Sequence, residues 1–165
     1  MLTLILMRHA KSSWGNPGVA DHDRPLNKRG TDSALALGEW LRNNEFLPDE
    51  ALVSSARRTQ ETFAGLGLDV ESTVLRELYH ASSDQLMESL YEATANCILL
   101  VAHNPGIGEL AFRLARMMRE TPDHPRFEDY PTGATFVIEW DADSWQNIDW
   151  SQGKIKSFLV PRDIT

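Results

Sequence analysis

The chain has 165 residues, 16 of them basic and 24 acidic, for a net charge of −8. That length fits one domain spanning residues 1–165, and the acidity argues against a nucleic-acid partner, which needs a basic face. A 42% hydrophobic content supports a buried core, and the single cysteine, Cys97, can build neither an internal disulfide nor a cysteine metal site.

Leu2-Thr3-Leu4-Ile5-Leu6-Met7 reads as a buried strand that ends on Arg8-His9. It is too short to cross a membrane and lacks the basic flank and cleavage site of a secretory leader. A cytoplasmic protein without membrane association, monomeric by default, is therefore expected. A polar loop over 11–29 carries Gly15, Pro17, Gly18 and Pro25. A helical pattern starts at Thr31 with Ala34, Leu37 and Leu41 on one face. Ala51-Leu52-Val53 is a short strand running into Ser54-Ser55, a natural N-cap position for a helix from Arg57 to about Ala64.

Val70 to Leu75 reads as another strand, and Asp84 as the cap of a helix bearing Leu86, Met87 and Leu90. Cys97 to Ala102 is the most buried-looking strand and is followed by His103. Pro105-Gly106 opens a helix with Ile107, Leu110, Ala111, Leu114 and Met118 at helical spacing. A loop with three prolines fills 120–132. Thr135–Trp140 and Ile155–Val160 suit an antiparallel hairpin. Alternating strands and helices predict an α/β three-layer sandwich, its sheet mostly parallel with one antiparallel edge and helices on both faces.

In such sheets ligands bind where strands emerge, and three of these exits carry chemistry. Arg8 offers a planar donor fork suited to phosphate oxygens. A neutral imidazole such as His9 can attack phosphorus when its other nitrogen is held as a donor. His103-Asn104-Pro105-Gly106 lies between a strand and a helix N-terminus, where free amides and the helix dipole favour an anion. Arg57 and Arg58 open a helix against its dipole, a cost that a bound anion offsets. Adjacent helical residues do not share a face, so only one of the two is expected to enter the site. Singly, each group also reads as a capped strand end, a loop histidine or a solvated arginine. Together they form a cluster able to stabilise the charge of a phosphoryl group in transfer.

These residues resemble the histidine phosphatase superfamily, the group that includes phosphoglycerate mutases. Arg8-His9-Ala10 is similar to its Arg-His-Gly signature, with alanine in place of glycine. Asp23-Arg24-Pro25-Leu26-Asn27-Lys28-Arg29-Gly30 resembles its Asp-x-x-Leu-x-x-x-Gly segment. Ser54 to Thr62 resembles the segment carrying the second arginine and selects Arg58. Val101-Ala102-His103-Asn104 resembles the second-histidine segment, and Pro131-Thr132-Gly133-Ala134 the approach to the final strands. The short length and the Arg-His-Ala-Lys-Ser and Asp-Arg-Pro-Leu runs look most like SixA-type phosphohistidine phosphatases.

The resemblance implies a phosphatase in which His9 becomes phosphorylated while Arg8, Arg58 and His103 bind and stabilise the phosphoryl group, with no metal or cofactor. Glu77 falls near the acidic proton donor of larger relatives, with His80 as its rival. Lys11 and Ser12 stay outside the core site. The implied substrate is a phosphohistidine protein. A small phosphorylated molecule, turned over by a phosphomonoesterase or mutase, is the alternative, as is a phosphate-binding module without turnover. Other chemistries fit less well. A cysteine phosphatase needs an arginine where His103 stands, and no Gly-x-x-x-x-Gly-Lys loop exists. Asp21-His22-Asp23 has metal-capable side chains in a polar loop.

Overall fold

The computed structural model describes residues 1–165. Six strands, β1 (Leu2–Arg8), β2 (Glu50–Ser54), β3 (Ser72–Leu75), β4 (Cys97–Ala102), β5 (Thr135–Trp140) and β6 (Lys154–Leu159), form one sheet in the order β3-β2-β4-β1-β5-β6. The β3-β2-β4-β1 portion is parallel, and β5 pairs antiparallel with both β1 and β6. This is the expected mostly parallel α/β sheet with an antiparallel edge. The predicted strand at Val70 is shorter and starts at Ser72, and β6 starts at Lys154.

Side chains alternate across the sheet and so feed two separate cores. Leu2, Leu4, Leu6, Ile98 and Leu100 pack on one face with α3 (Ser83–Tyr91) and α4 (Gly106–Met118). Ile5, Met7, Val53, Leu99 and Val101 pack on the other, against Leu37 and Leu41 of α1 (Lys28–Asn43) and Leu66 of α2 (Arg57–Leu66). β1 and β4 are apolar in both registers because both their faces are covered. Full burial of each such Leu, Ile or Val contributes about 1.5–3 kcal/mol relative to exposure.

Two helix starts and the cap of a third differ from expectation. α1 begins at Lys28 rather than Thr31, because the Asn27 side chain accepts a hydrogen bond from the Gly30 amide at 2.8 Å. Its polar first turn is invisible to apolar periodicity. α3 is capped by Ser82 in a reciprocal capping box with Gln85, not by Asp84. Neither Ser54 nor Ser55 caps α2. Ala56 holds that position without a side-chain cap, and both serines bond to histidines instead.

The loop after β1 is clamped to the start of α1. The Asn27 amide donates to the Lys11 carbonyl at 3.0 Å, and a Cβ on Gly30 would stand 2.0 Å from that carbonyl oxygen. The glycine of the Asp-x-x-Leu-x-x-x-Gly segment is therefore a close-approach residue that lets a helix abut the backbone two residues beyond His9. Gly30→Ala is expected to destabilise the fold by about 1–3 kcal/mol through overpacking. The check is a lower urea midpoint at unchanged m-value, together with reduced phosphatase turnover as the Lys11 backbone is displaced.

Candidate active site

β2, β4 and β1 are parallel neighbours, and their register pairs Arg8 with Ala102 and Val53 with Val101. The residues that follow therefore emerge side by side at one sheet edge. The His9 amide donates to the Ala102 carbonyl at 3.1 Å, and the His9 and His103 rings lie 5.3 Å apart. Arg58 enters from the first turn of α2 and is 4% exposed. Arg57 turns outward to Glu61, 2.9 Å away. The structure thus brings together Arg8, His9, Arg58 and His103.

His9 is held by its own neighbour. Its Nδ1 donates to the Ala10 carbonyl at 2.7 Å, which leaves Nε2 as the nitrogen with a free lone pair. Burial above all, then Arg8, Arg58 and Arg24, push the ring's pKa down to about 3. The Ala10 amide donates to Thr62 Oγ1 at 3.0 Å, and the Thr62 hydroxyl donates to the Arg58 carbonyl at 2.7 Å. The loop after His9 and the helix carrying Arg58 are locked together by one side chain.

His103 is positioned by Ser54. The Ala56 amide donates to Ser54 Oγ at 3.4 Å, and Ser54 Oγ lies 2.7 Å from His103 Nε2. With the hydroxyl as donor, Nδ1 carries the ring proton. Burial first, then the facing His9, hold His103 down to about 2. Arg8 is anchored through Nη1 to the Tyr130 carbonyl at 3.2 Å, which also accepts from Asn104 Nδ2 at 3.0 Å. Tyr130 is fully buried, has a φ of 44°, and donates its hydroxyl to the Leu6 carbonyl at 2.8 Å. At Gly133, with φ at 77°, the backbone amide reaches the Arg8 and His9 carbonyls at 3.1 and 2.9 Å.

Asp21 is the functional residue that sequence reasoning missed. Its carboxylate accepts from Tyr79 Oη at 2.5 Å, from Arg58 Nη2 at 3.1 Å and from Arg24 Nε at 3.2 Å. His80 Nε2 lies 3.4 Å away. The Tyr79 hydroxyl foremost, with Arg58 and Arg24, holds this carboxyl below the usual carboxylate range. Asp21 is therefore an anion that braces Arg58, and its backbone carbonyl accepts a second bond from Arg58 Nη1 at 2.7 Å. The Asp21-His22-Asp23 cluster is turned to these protein partners, with His22 Nε2 2.9 Å from Ser55 Oγ. The sequence signal was present in the acidic residue two positions before Asp23, but nothing local ties it to an arginine 37 residues on.

Glu77 is not brought to the cluster. It is exposed and lines a separate groove with Glu50, Thr73 and Glu88 against α3. The short 3-10 turn Arg76–Leu78 directs the chain so that Tyr79 and His80 face the site, with ring centroids 5.5 and 5.9 Å from His103. Of the two donors considered, His80 is the one placed nearby. Ser12 is buried and accepts from Arg24 Nη1 at 2.8 Å, so it supports the site rather than lining it.

Known proteins resemble this chain in sequence and in fold. The family model for the histidine phosphatase superfamily, branch 1, matches residues 4–82. An uncharacterized protein of Mycobacterium tuberculosis is 34% identical over 160 residues, covering 94% of this chain and all of that one. The phosphohistidine phosphatase SixA of Escherichia coli is 26% identical over 121 residues, 68% of this chain and 74% of that protein. A candidate SixA phosphohistidine phosphatase structure from Nakamurella multipartitia superimposes with a TM-score of 0.84 at 28% identity, covering 97% of this chain and 96% of that one. The chain belongs to the histidine phosphatase superfamily, and its SixA-like neighbours support a phosphatase. No helix is long and apolar enough to cross a membrane.

The two buried imidazoles set a pH dependence of stability. Their folded pKa values lie below the ordinary value of about 6.5, so below that pH the unfolded chain binds more protons than the folded one. The stability they permit is complete above about pH 6.5 and is lost as pH falls toward about 3 and 2. Between about pH 5.5 and 4 the urea-unfolding free energy is expected to fall by roughly 2–3 kcal/mol per pH unit from these two groups. The His9→Gln/His103→Gln double variant should show a flatter profile over that range.

Proposed function

We propose that this protein hydrolyses phosphohistidine on a protein substrate, by way of a phosphoryl group carried transiently on His9 Nε2. One observation carries the reading. Four buried side-chain polar atoms have no hydrogen-bond partner, and three of them, Arg8 Nε, Arg58 Nε and His103 Nδ1, belong to this cluster. A buried donor without a partner costs about 1–3 kcal/mol, so placing three at one site is worthwhile where an oxyanion engages them during turnover.

His9 Nε2 attacks phosphorus as the bond to the substrate imidazole breaks; the bonding pair stays with that nitrogen, and the proton on the ring's other nitrogen makes the leaving group a neutral imidazole. Arg8 and Arg58 balance the charge spread over the phosphoryl oxygens, and His103 donates from Nδ1. Water then attacks phospho-His9, releasing inorganic phosphate and restoring the neutral imidazole. The conjugate acid of the leaving imidazole has a pKa of about 6.5, far below that of an alcohol. A site without a buried carboxylic acid is therefore adequate for this substrate class. The exposed position of Glu77 and the anionic state of Asp21 agree with that requirement.

Incubation with a labelled phosphohistidine protein and an alkaline quench should trap acid-labile, alkali-stable label on the wild type and none on His9→Ala. Turnover by His9→Ala at the wild-type rate would overturn the mechanism. Arg58→Ala is expected to lower kcat/KM by about 10²–10³-fold, and Asp21→Asn by a smaller factor, since it loosens Arg58 without removing it.

A further inference from the structure

Beside the phosphoryl site, at the same sheet edge but toward β5 and β6, lies a groove of about 750 Å³. Lys11, Lys28, Arg29, Arg126 and Arg162 line it, against one acidic side chain, Asp32. With Arg8, Arg24 and Arg58 these make half of the 16 cationic residues in a chain of net charge −8. The groove joins the site through the backbone. Lys11 follows Ala10, and Pro131 and Thr132 run from Tyr130, which anchors Arg8, to Gly133, which bonds to Arg8 and His9.

We propose that this groove docks an acidic surface of the phosphoprotein substrate, next to its phosphohistidine. The assignment rests on the reading above and specifies the substrate further.

Two features point to a macromolecular surface rather than to a second small anion. Arg58 of the phosphoryl site and Arg24, which supports it, are 4% and 8% exposed and held by fixed partners. Of the groove cations, Lys28, Arg29, Arg126 and Arg162 are exposed and Lys11 is half-buried. The Lys28 side chain is 90% exposed and that of Arg126 45%, each in a solvated pair with a carboxylate three or four residues along, and Arg29 and Arg162 have no ion pair. Such charges steer and orient a large partner rather than chelate a small one. Lys28 and Arg29 also occupy the first turn of α1, which has no acidic residue. Cations there oppose the helix dipole, so the groove is not explained by helix stability.

The test compares the wild type with the Arg29→Glu/Arg162→Glu double variant on two substrates. One is a purified acidic protein phosphorylated on a single histidine, and the other is phosphoramidate. The variant is expected to lose roughly tenfold or more in kcat/KM on the protein, mainly through KM. It should stay within about twofold of wild type on phosphoramidate. Raising salt from about 50 to 300 mM should weaken wild-type action on the protein and scarcely affect the variant. Equal kcat/KM for wild type and variant on the protein, or equal losses on both substrates in a variant of unchanged melting temperature, would overturn the docking assignment. If the double variant misfolds, the Arg29→Gln/Arg162→Gln pair decides by the same ratio. Wild type that hydrolyses phosphoramidate but leaves the phosphoprotein intact would instead defeat the protein-substrate reading itself.

Discussion

Parallel hydrogen bonding between β1 and β4 is the constraint on which this site rests. With Arg8 paired to Ala102, the residue after each strand end is a histidine, and the two imidazoles meet 5.3 Å apart. A register shift of one residue would turn every side chain of β1 to the opposite face. It would move Leu2, Leu4 and Leu6 into the core that Ile5 and Met7 fill, and Ile5 and Met7 into theirs. The two cores on either side of the sheet therefore enforce the register, and the register enforces the distance between the histidines. Packing energy gathered far from the chemistry sets the geometry at the edge.

Gathering cations at that edge has an electrostatic cost, which the fold meets in two ways. His9 and His103 remain neutral because burial disfavours the imidazolium and neighbouring arginines reinforce that preference. Arg58 is braced by Asp21, whose carboxylate also engages Arg24 and Tyr79. The result is a site rich in donors with two uncharged imidazoles. The neutral His9 ring is held in one tautomer by the carbonyl of the next residue. Short-range backbone geometry and long-range burial thus act on one nitrogen.

The loops that carry these groups are tied to one another rather than free. Thr62 joins the Ala10 amide to α2, Tyr130 joins Arg8 and Asn104 to the loop before β5, and Gly133 bonds back to the carbonyls of Arg8 and His9. Catalytic groups on loops need such support, because a small displacement of a phosphoryl-binding donor weakens transition-state stabilisation. In the cationic groove beside them, Lys28 and Arg126 pair only with carboxylates of their own segments, Asp32 and Asp129.

Much of this was legible in the chain. Apolar runs ending in Arg8-His9 and His103, and an arginine pair opening a helix, placed the four central residues, because strand ends and helix starts have local signatures. Spacing showed that only one of Arg57 and Arg58 could enter the site, and the family resemblance selected Arg58. What escaped were contacts with no local signature. Asp21 reaches Arg58 from a 3-10 turn, Tyr130 reaches Leu6 across 124 residues, and Ser54 serves His103 rather than a helix cap. Glu77 was misplaced because one 3-10 turn decides whether it or Tyr79 and His80 face the site. By itself the sequence determined which residues could carry phosphoryl chemistry and which strands deliver them, since hydrophobic periodicity and residue type are written locally. Only the tertiary structure decided which nitrogen is free, which carboxylate braces the arginine and which acid stays outside, because those depend on burial and on partners distant along the chain.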